Sequence, residues 1–149
     1  MYRSKSVAVI VPARGGSKGV PGKNLRLLGG KPLILHTLAC ARVSGIADLL
    51  AVSTDSNEIA RVAEAPDVLL IERPAALATD IAKGVDVFIH AAEHIREMVG
   101  SFDYYFYLQP TSPLRSPEDL KGAMDVAIDK GAGTVIGVTP CEHHPFWSG

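Results

Sequence analysis

Three features are scarce in this chain of 149 residues, and each absence narrows what it can be. Cysteine occurs twice, as Cys40 and Cys141, far apart and without CxxC spacing. That spacing does not build a disulfide framework, so a reduced cytoplasmic protein is expected. Long apolar runs are missing: none approaches the ~20 residues needed to cross a bilayer, and residues 1–6 are too short and polar for a signal peptide. An excess of either charge is missing too. Lys and Arg total 15 against 16 Asp and Glu, a net charge of −1. Nucleic-acid-binding domains are usually clearly basic, so that class of partner is not expected. What remains is ordinary globular material, 47% hydrophobic and 21% charged, long enough for one core. No repeat or linker interrupts it, so residues 1–149 read as a single α/β domain.

The most informative stretch is 7–24, VAVIVPARGGSKGVPGKN. Residues 7–12 are apolar without alternation, the pattern of a strand buried on both faces in a parallel sheet. The strand empties into Arg14, four glycines (Gly15, Gly16, Gly19, Gly22), Ser17, Lys18, Lys23 and Asn24. Glycines let backbone N–H groups approach an anion, and the cations add charge. A phosphate site and a solvated turn both fit this loop taken alone. Two standard templates do not. A Walker A loop ending on Gly22-Lys23 would need glycine at Ser17, and Ser or Thr at Asn24. A dinucleotide fingerprint ending on Gly19 would need glycine at Arg14.

The rest of the chain alternates strands and helices. Gly29-Gly30-Lys31-Pro32 predicts a turn, and the spacing of Leu33, Ile34, Thr37, Leu38 and Ala41 predicts a helix closed by Gly45. Strands are expected at 49–53, 68–71, 104–108 and 133–139 (GTVIGVT). Helices are expected at 57–65, with Asp55 or Ser56 as N-cap, at 85–99, and from Ser116-Pro117 to about Lys130. Strand–helix repeated four times, then a strand, implies a Rossmann-like parallel sheet with helices on both faces. Ligands of such sheets bind outside the carboxyl ends of the strands. That rim would collect 14–24, 54–55, 73–84, 109–115 and 140–144.

Several polar residues admit a plainer reading. His90-Ala91-Ala92-Glu93-His94 matches an H-x-x-E-H zinc pattern, but no further ligand accompanies it and the helix reads as a packed crossover. His36 falls within a helix and reads as packing there, and His143-His144 fits a ligand contact or a surface pair. Asp55 suits a helix cap better than a metal-bound phosphate. Gln109, Thr111 and Ser112 offer an amide and two hydroxyls in a proline-stiffened loop, and turn chemistry alone would also explain them.

Taken together, the motifs carry a resemblance. ARGGSKGVPGKN at 13–24, VSTDS at 52–56, RPAALATD at 73–80, LQPTSPLR at 108–115 and EHHPFW at 142–147 resemble the acylneuraminate cytidylyltransferases. These are the CMP-N-acetylneuraminate synthetases and bacterial relatives acting on legionaminic or pseudaminic acid. The motifs follow the family's order along the whole chain, and the ketodeoxyoctulosonate enzyme, with a different first loop, fits less well.

The resemblance implies a nucleotide-diphospho-sugar transferase fold and a reaction. CTP and a nine-carbon 2-keto sugar acid would give the CMP-sugar and pyrophosphate, with Mg²⁺ expected alongside CTP. It implies nucleotide contacts from Ala13, Arg14, Gly15, Ser17, Lys18, Lys23, Asn24, Arg73, Ala82 and Gly84, with Lys23 and Arg14 catalytic. It implies that Gln109, Thr111 and Ser112 orient the sugar. In two places the chain departs from the family's pattern. Where the family often carries Ser or Thr after RPxxLAxD, residues 81–84 are Ile-Ala-Lys-Gly, which leaves open a weaker cytidine site or another base. Family members continue with a dimerisation segment and paired metal aspartates, and neither is carried over onto these 149 residues, which read as a truncated or a short form. Full-length members are expected to be homodimers, and a catalytically incomplete nucleotide-binding fragment is the alternative.

Overall fold

A computed structural model describes residues 1–17 and 19–139. At its centre is β1 (Val7–Pro12), whose first five residues have no exposed surface. Burying each valine or isoleucine side chain contributes about 1.5–3 kcal/mol. Side chains of β1 alternate between two cores. Val9 and Val11 join one cluster, and Ala8 and Ile10 join another on the opposite face of the sheet. This is why the strand is apolar at every position.

After β1 a short 3-10 turn, Lys23–Leu25, leads into a two-residue hairpin. Its arms are β2 (Leu27–Leu28) and β3 (Lys31–Pro32), joined by Gly29 and Gly30 at positive φ. Pro32 stands just before the first residue of α1 (Leu33–Ser44) without a capping side-chain bond, and Gly45 ends that helix in the left-handed conformation. The chain continues through β4 (Leu49–Thr54), α2 (Asn57–Ala63), β5 (Val68–Glu72), a 3-10 turn at Ala75–Leu77, and α3 (Gly84–Met98). It then forms β6 (Tyr104–Tyr107) and α4 (Pro117–Lys130).

The main sheet runs β5-β4-β1-β6, parallel throughout. Its order follows from the connections. From β1 the chain moves outward to β4 and β5, then crosses back through α3 to place β6 on the other side of β1. Residues of α1, α2 and α4 pack in the core with Val9 and Val11, while Ala91 and Ile95 of α3 cover Ala8 and Ile10. The expected sheet with helices on both faces is therefore present. The reversal of direction at β1 makes the gap between the carboxyl ends of β1 and β6 the switch point, where ligands of open α/β sheets sit.

Two expectations need correction. Residues 133–139 form no strand. Ile136 is 76% and Val138 91% exposed. An apolar, β-branched sequence favours a strand only when a ladder partner and a covering layer are supplied, and this segment has neither among the described residues. The cap of α2 is Ser56, whose hydroxyl accepts from the Ile59 N–H at 3.4 Å. Asp55 is used elsewhere. Among the described residues no helix is long and apolar enough to cross a membrane.

Candidate functional site

The loops leaving β1 and β6 face each other across an open cleft of about 150 Å³. Its walls are Pro12, Arg14, Ser17, Lys23 and Asn24 from the first loop, and Gln109, Pro110 and Thr111 from the loop after β6. Arg73 completes the lining. Seven of these nine lining residues were singled out from the sequence. They meet because the ends of three strands, β1, β5 and β6, lie on one rim.

The first loop is held from inside. Asn24 is 5% exposed, and its side-chain amide donates to the Arg14 carbonyl at 3.0 Å. The Gly15 N–H donates to Asp55 at 2.9 Å. A side chain at Gly15 would be crowded, since a Cβ there would lie 3.0 Å from the Ser56 Cβ. Gly22 takes φ 63 and opens the 3-10 turn that presents Lys23. Backbone geometry thus fixes the loop at three points, and the cationic side chains project from a held frame.

Arg73 is the least expected member, at 6% exposure. Its Nε donates to the Ser53 hydroxyl at 3.2 Å and its Nη2 to the Ser53 carbonyl at 2.7 Å. The side chain thereby bridges the ends of β5 and β4. Burial pushes its pKa down, while nearby Tyr107 and Asp55 act in the opposite direction. The guanidinium stays charged at any working pH. Tyr107 in turn has its pKa raised by burial, which Arg73 opposes. No sequence motif pointed to Tyr107, and Ser53 lay within the VSTDS motif without being singled out; Arg73 bonds Ser53 directly and faces Tyr107 electrostatically.

A second cleft, of about 480 Å³, adjoins the first and shares Arg14 and Ser17 with it. Its far wall is Ala78, Thr79 and Asp80. Arg14 Nη2 and Asp80 Oδ1 form an ion pair at 2.7 Å.

The remaining expected residues lie around these clefts. Ala13 is buried and its N–H donates to the Ser53 carbonyl at 2.9 Å, which extends the sheet ladder. Ser112 is exposed beside Thr111, its N–H turned to the Gln109 carbonyl at 3.4 Å. The Ala82 N–H closes a turn onto the Thr79 carbonyl at 3.4 Å, and Gly84 starts α3, its Cα side turned to the Tyr107 hydroxyl. Neither Ala82 nor Gly84 lines the two clefts. Lys18, Cys141 and the EHHPFW motif lie outside the described residues.

The two cation-binding patterns fare differently from the anion loop. His90 and His94 stack on α3 with ring centroids 6.5 Å apart, but among the described residues no group of three or more His, Cys, Asp or Glu could hold a metal. The acids at the rim, Asp55 and Asp80, are engaged by the Gly15 amide and by Arg14. Cys40 is a half-buried free thiol, pushed up in pKa by burial, 3.2 Å from the Arg115 carbonyl.

Known proteins share both the sequence and the architecture. The CMP-N,N'-diacetyllegionaminic acid synthase of Legionella pneumophila is 39% identical over 142 residues, covering 95% of this chain and 61% of that protein. An N-acylneuraminate cytidylyltransferase of Streptococcus agalactiae is 36% identical over 91% of this chain and 32% of its own length. The chain thus spans between about a third and three fifths of these relatives. Among solved structures, a CMP:2-keto-3-deoxy-manno-octonic acid synthetase complexed with CTP superimposes with a TM-score of 0.70 at 26% identity, over 85% of this chain and 49% of that one. A 4-diphosphocytidyl-2C-methyl-D-erythritol synthase shares the fold with a TM-score of 0.64 at 13% identity, over 85% of this chain and 56% of that one. Residues 8–143 match the family model described as cytidylyltransferase, and the chain belongs to the cytidylyltransferase family.

Proposed function

We propose that this chain carries the nucleotide site of an enzyme that transfers CMP from CTP to a sialic-acid-like nonulosonic acid. The observation that carries the reading is the first cleft. Three cations, Arg14, Lys23 and Arg73, line one small space at the switch point, opposite Gln109 and Thr111. A triphosphate needs that concentration of charge, and a sugar acid needs fixed donors and acceptors beside it.

In this reading Arg14 and Lys18 offset the charge of the outer phosphates, the Ser17 hydroxyl donates to them, and Lys23 stands nearest the α-phosphate. Asn24 and Arg73, with the backbone of 82–84, hold the nucleoside. Gln109, Thr111 and Ser112 orient the sugar. The anomeric hydroxyl oxygen forms a bond to the α-phosphorus as its proton passes to solvent, the bond to the bridging oxygen breaks, and pyrophosphate leaves with the charge that Lys23 and Arg14 offset. Mg²⁺ is expected with CTP, where it would offset phosphate charge alongside Arg14 and Lys23.

Pyrophosphate release tests the proposal, with CTP, Mg²⁺ and in turn neuraminic, legionaminic and pseudaminic acids. Release that depends on both CTP and one of the acids is the expected result. Thermal stabilisation by CTP without release assigns the chain to nucleotide binding alone. Stabilisation by UTP, GTP or ATP in preference to CTP changes the base, the point at which Ile81 and Ala82 replace the family's hydroxyls. No stabilisation by any nucleoside triphosphate overturns the reading.

A further inference from the structure

The cation proposed to meet the phosphates is already paired. Arg14 binds Asp80 across the second cleft at 2.7 Å, with both side chains about one third exposed. Asp80 stands in the turn that the Ala82 N–H closes on the Thr79 carbonyl, between the 3-10 turn at Ala75–Leu77 and α3. The pair therefore links the loop after β1 to the loop after β5. Next along the chain from Arg14, the Gly15 N–H, a donor of the kind an anion would use, is held by Asp55 at 2.9 Å. Two carboxylates thus occupy a guanidinium and a backbone amide on adjacent residues of the loop.

A structural strap and a phosphate stand-in would look alike in contact geometry, but they differ in placement. A strap that only stabilised the fold would join surfaces away from the clefts, as Arg3 does with Asp125 and Asp129 and Arg42 does with Asp67. The Arg14–Asp80 pair lies in the wall of a cleft, and Arg14 also lines the cation-rich cleft beside it. A carboxylate presents two oxygens to a guanidinium much as a phosphate does.

We propose that Asp80 is a positioning residue that holds Arg14 in the nucleotide-free chain and is exchanged for phosphate oxygens when a triphosphate or pyrophosphate binds. This rests on the reading of the first loop as a phosphate site. The exchange keeps Arg14 ordered and neutralised while the site is empty, and it sets the anion in competition with Asp80. Binding of any polyphosphate is then weaker than the cations alone would give. Release of pyrophosphate is favoured because the carboxylate returns.

Calorimetric titration of inorganic pyrophosphate and of CTP into the wild-type chain, Asp80→Asn, Asp80→Glu, Glu72→Gln and Lys23→Ala tests it. Asp80→Asn should bind both ligands about two- to fivefold more tightly than wild type, the ratio that one exposed ion pair can supply. Asp80→Glu should stay near wild type, since it keeps the charge. Glu72→Gln removes a charge from the neighbouring strand end without touching Arg14 and should change affinity less. The advantage of Asp80→Asn should shrink in high salt, where the wild-type pair is screened. Thermal melts of each variant separate these effects from loss of fold. Asp80→Asn binding equal to or weaker than wild type overturns the exchange while leaving the phosphate site standing. An effect of Glu72→Gln as large as that of Asp80→Asn also overturns it, leaving only a general field. Wild type that binds neither ligand, or Lys23→Ala that binds as well as wild type, removes the phosphate site and the exchange with it.

Discussion

At the scale of single residues, Lys23 separates function from stability most cleanly. Its position comes from the backbone: Gly22 in the left-handed region, and the Lys23 N–H on the Val20 carbonyl at 3.2 Å. Neither depends on the ammonium, so Lys23→Ala should change unfolding free energy by no more than about 0.5 kcal/mol in a urea titration. A cation facing a leaving pyrophosphate is worth far more, and turnover should fall by roughly 10²- to 10³-fold. Comparable losses in both measurements would remove Lys23 from the chemistry. Arg73 is the contrasting case. The sequence showed it beside a proline at a strand end, which fixed its place on the rim. Its burial was not legible, because the acceptors that make a buried guanidinium tolerable belong to Ser53, on the neighbouring strand. Asp55 was misjudged for a related reason. A carboxylate before a helix caps it by default, and only the tertiary approach of Gly15 supplies the competing donor.

At the scale of elements, legibility follows whether the signal is local. The start of α4 was readable at Ser116-Pro117, and the structure closes it with a capping box of Ser116 and Asp119. The Ser116 hydroxyl accepts from the Asp119 N–H at 3.2 Å, and the Asp119 carboxylate accepts from the Ser116 N–H at 2.8 Å. Gly45 closes α1 at positive φ as its position suggested, and Gly131 ends α4 in the same way. The segment 133–139 was not readable in this way, since a strand needs a partner that composition does not specify. The α4 box also has a functional reach, because it fixes the end of the loop that carries Gln109 and Thr111. Ser116→Ala should destabilise the protein by about 1 kcal/mol. In a steady-state assay it should raise the KM for the sugar acid more than it lowers kcat, since the loop loosens without losing a reacting group. A variant with the expected loss of stability and an unchanged KM would show that the loop is held by its own prolines.

At the scale of the whole molecule, carboxylates pin separate elements together, and their protonation gives the fold a common acid limit. The Asp103 carboxylate accepts from the Ser6 N–H at 2.8 Å, tying the entry of β1 to that of β6, and this bond holds its pKa below the usual carboxylate range. Asp67 is lowered by its hydrogen bonds from Arg42, which join α1 to the start of β5. Asp119 is lowered by the Ser116 N–H at the head of α4. A carboxyl whose folded pKa is depressed contributes stability that is fully present above its unfolded value, near 3.9, and is lost as pH falls through the folded value. The melting temperature should therefore hold between pH 7 and 5 and drop steeply below about pH 4. Asp103→Asn should melt lower than wild type at neutral pH, and the gap between them should close as the pH is taken below 4, because the wild-type carboxyl then becomes neutral as well. Differential scanning calorimetry across that range decides the matter. A gap that stays constant with pH would mean that Asp103 acts through shape and hydrogen-bond capacity, with its charge contributing nothing to the joint between β1 and β6.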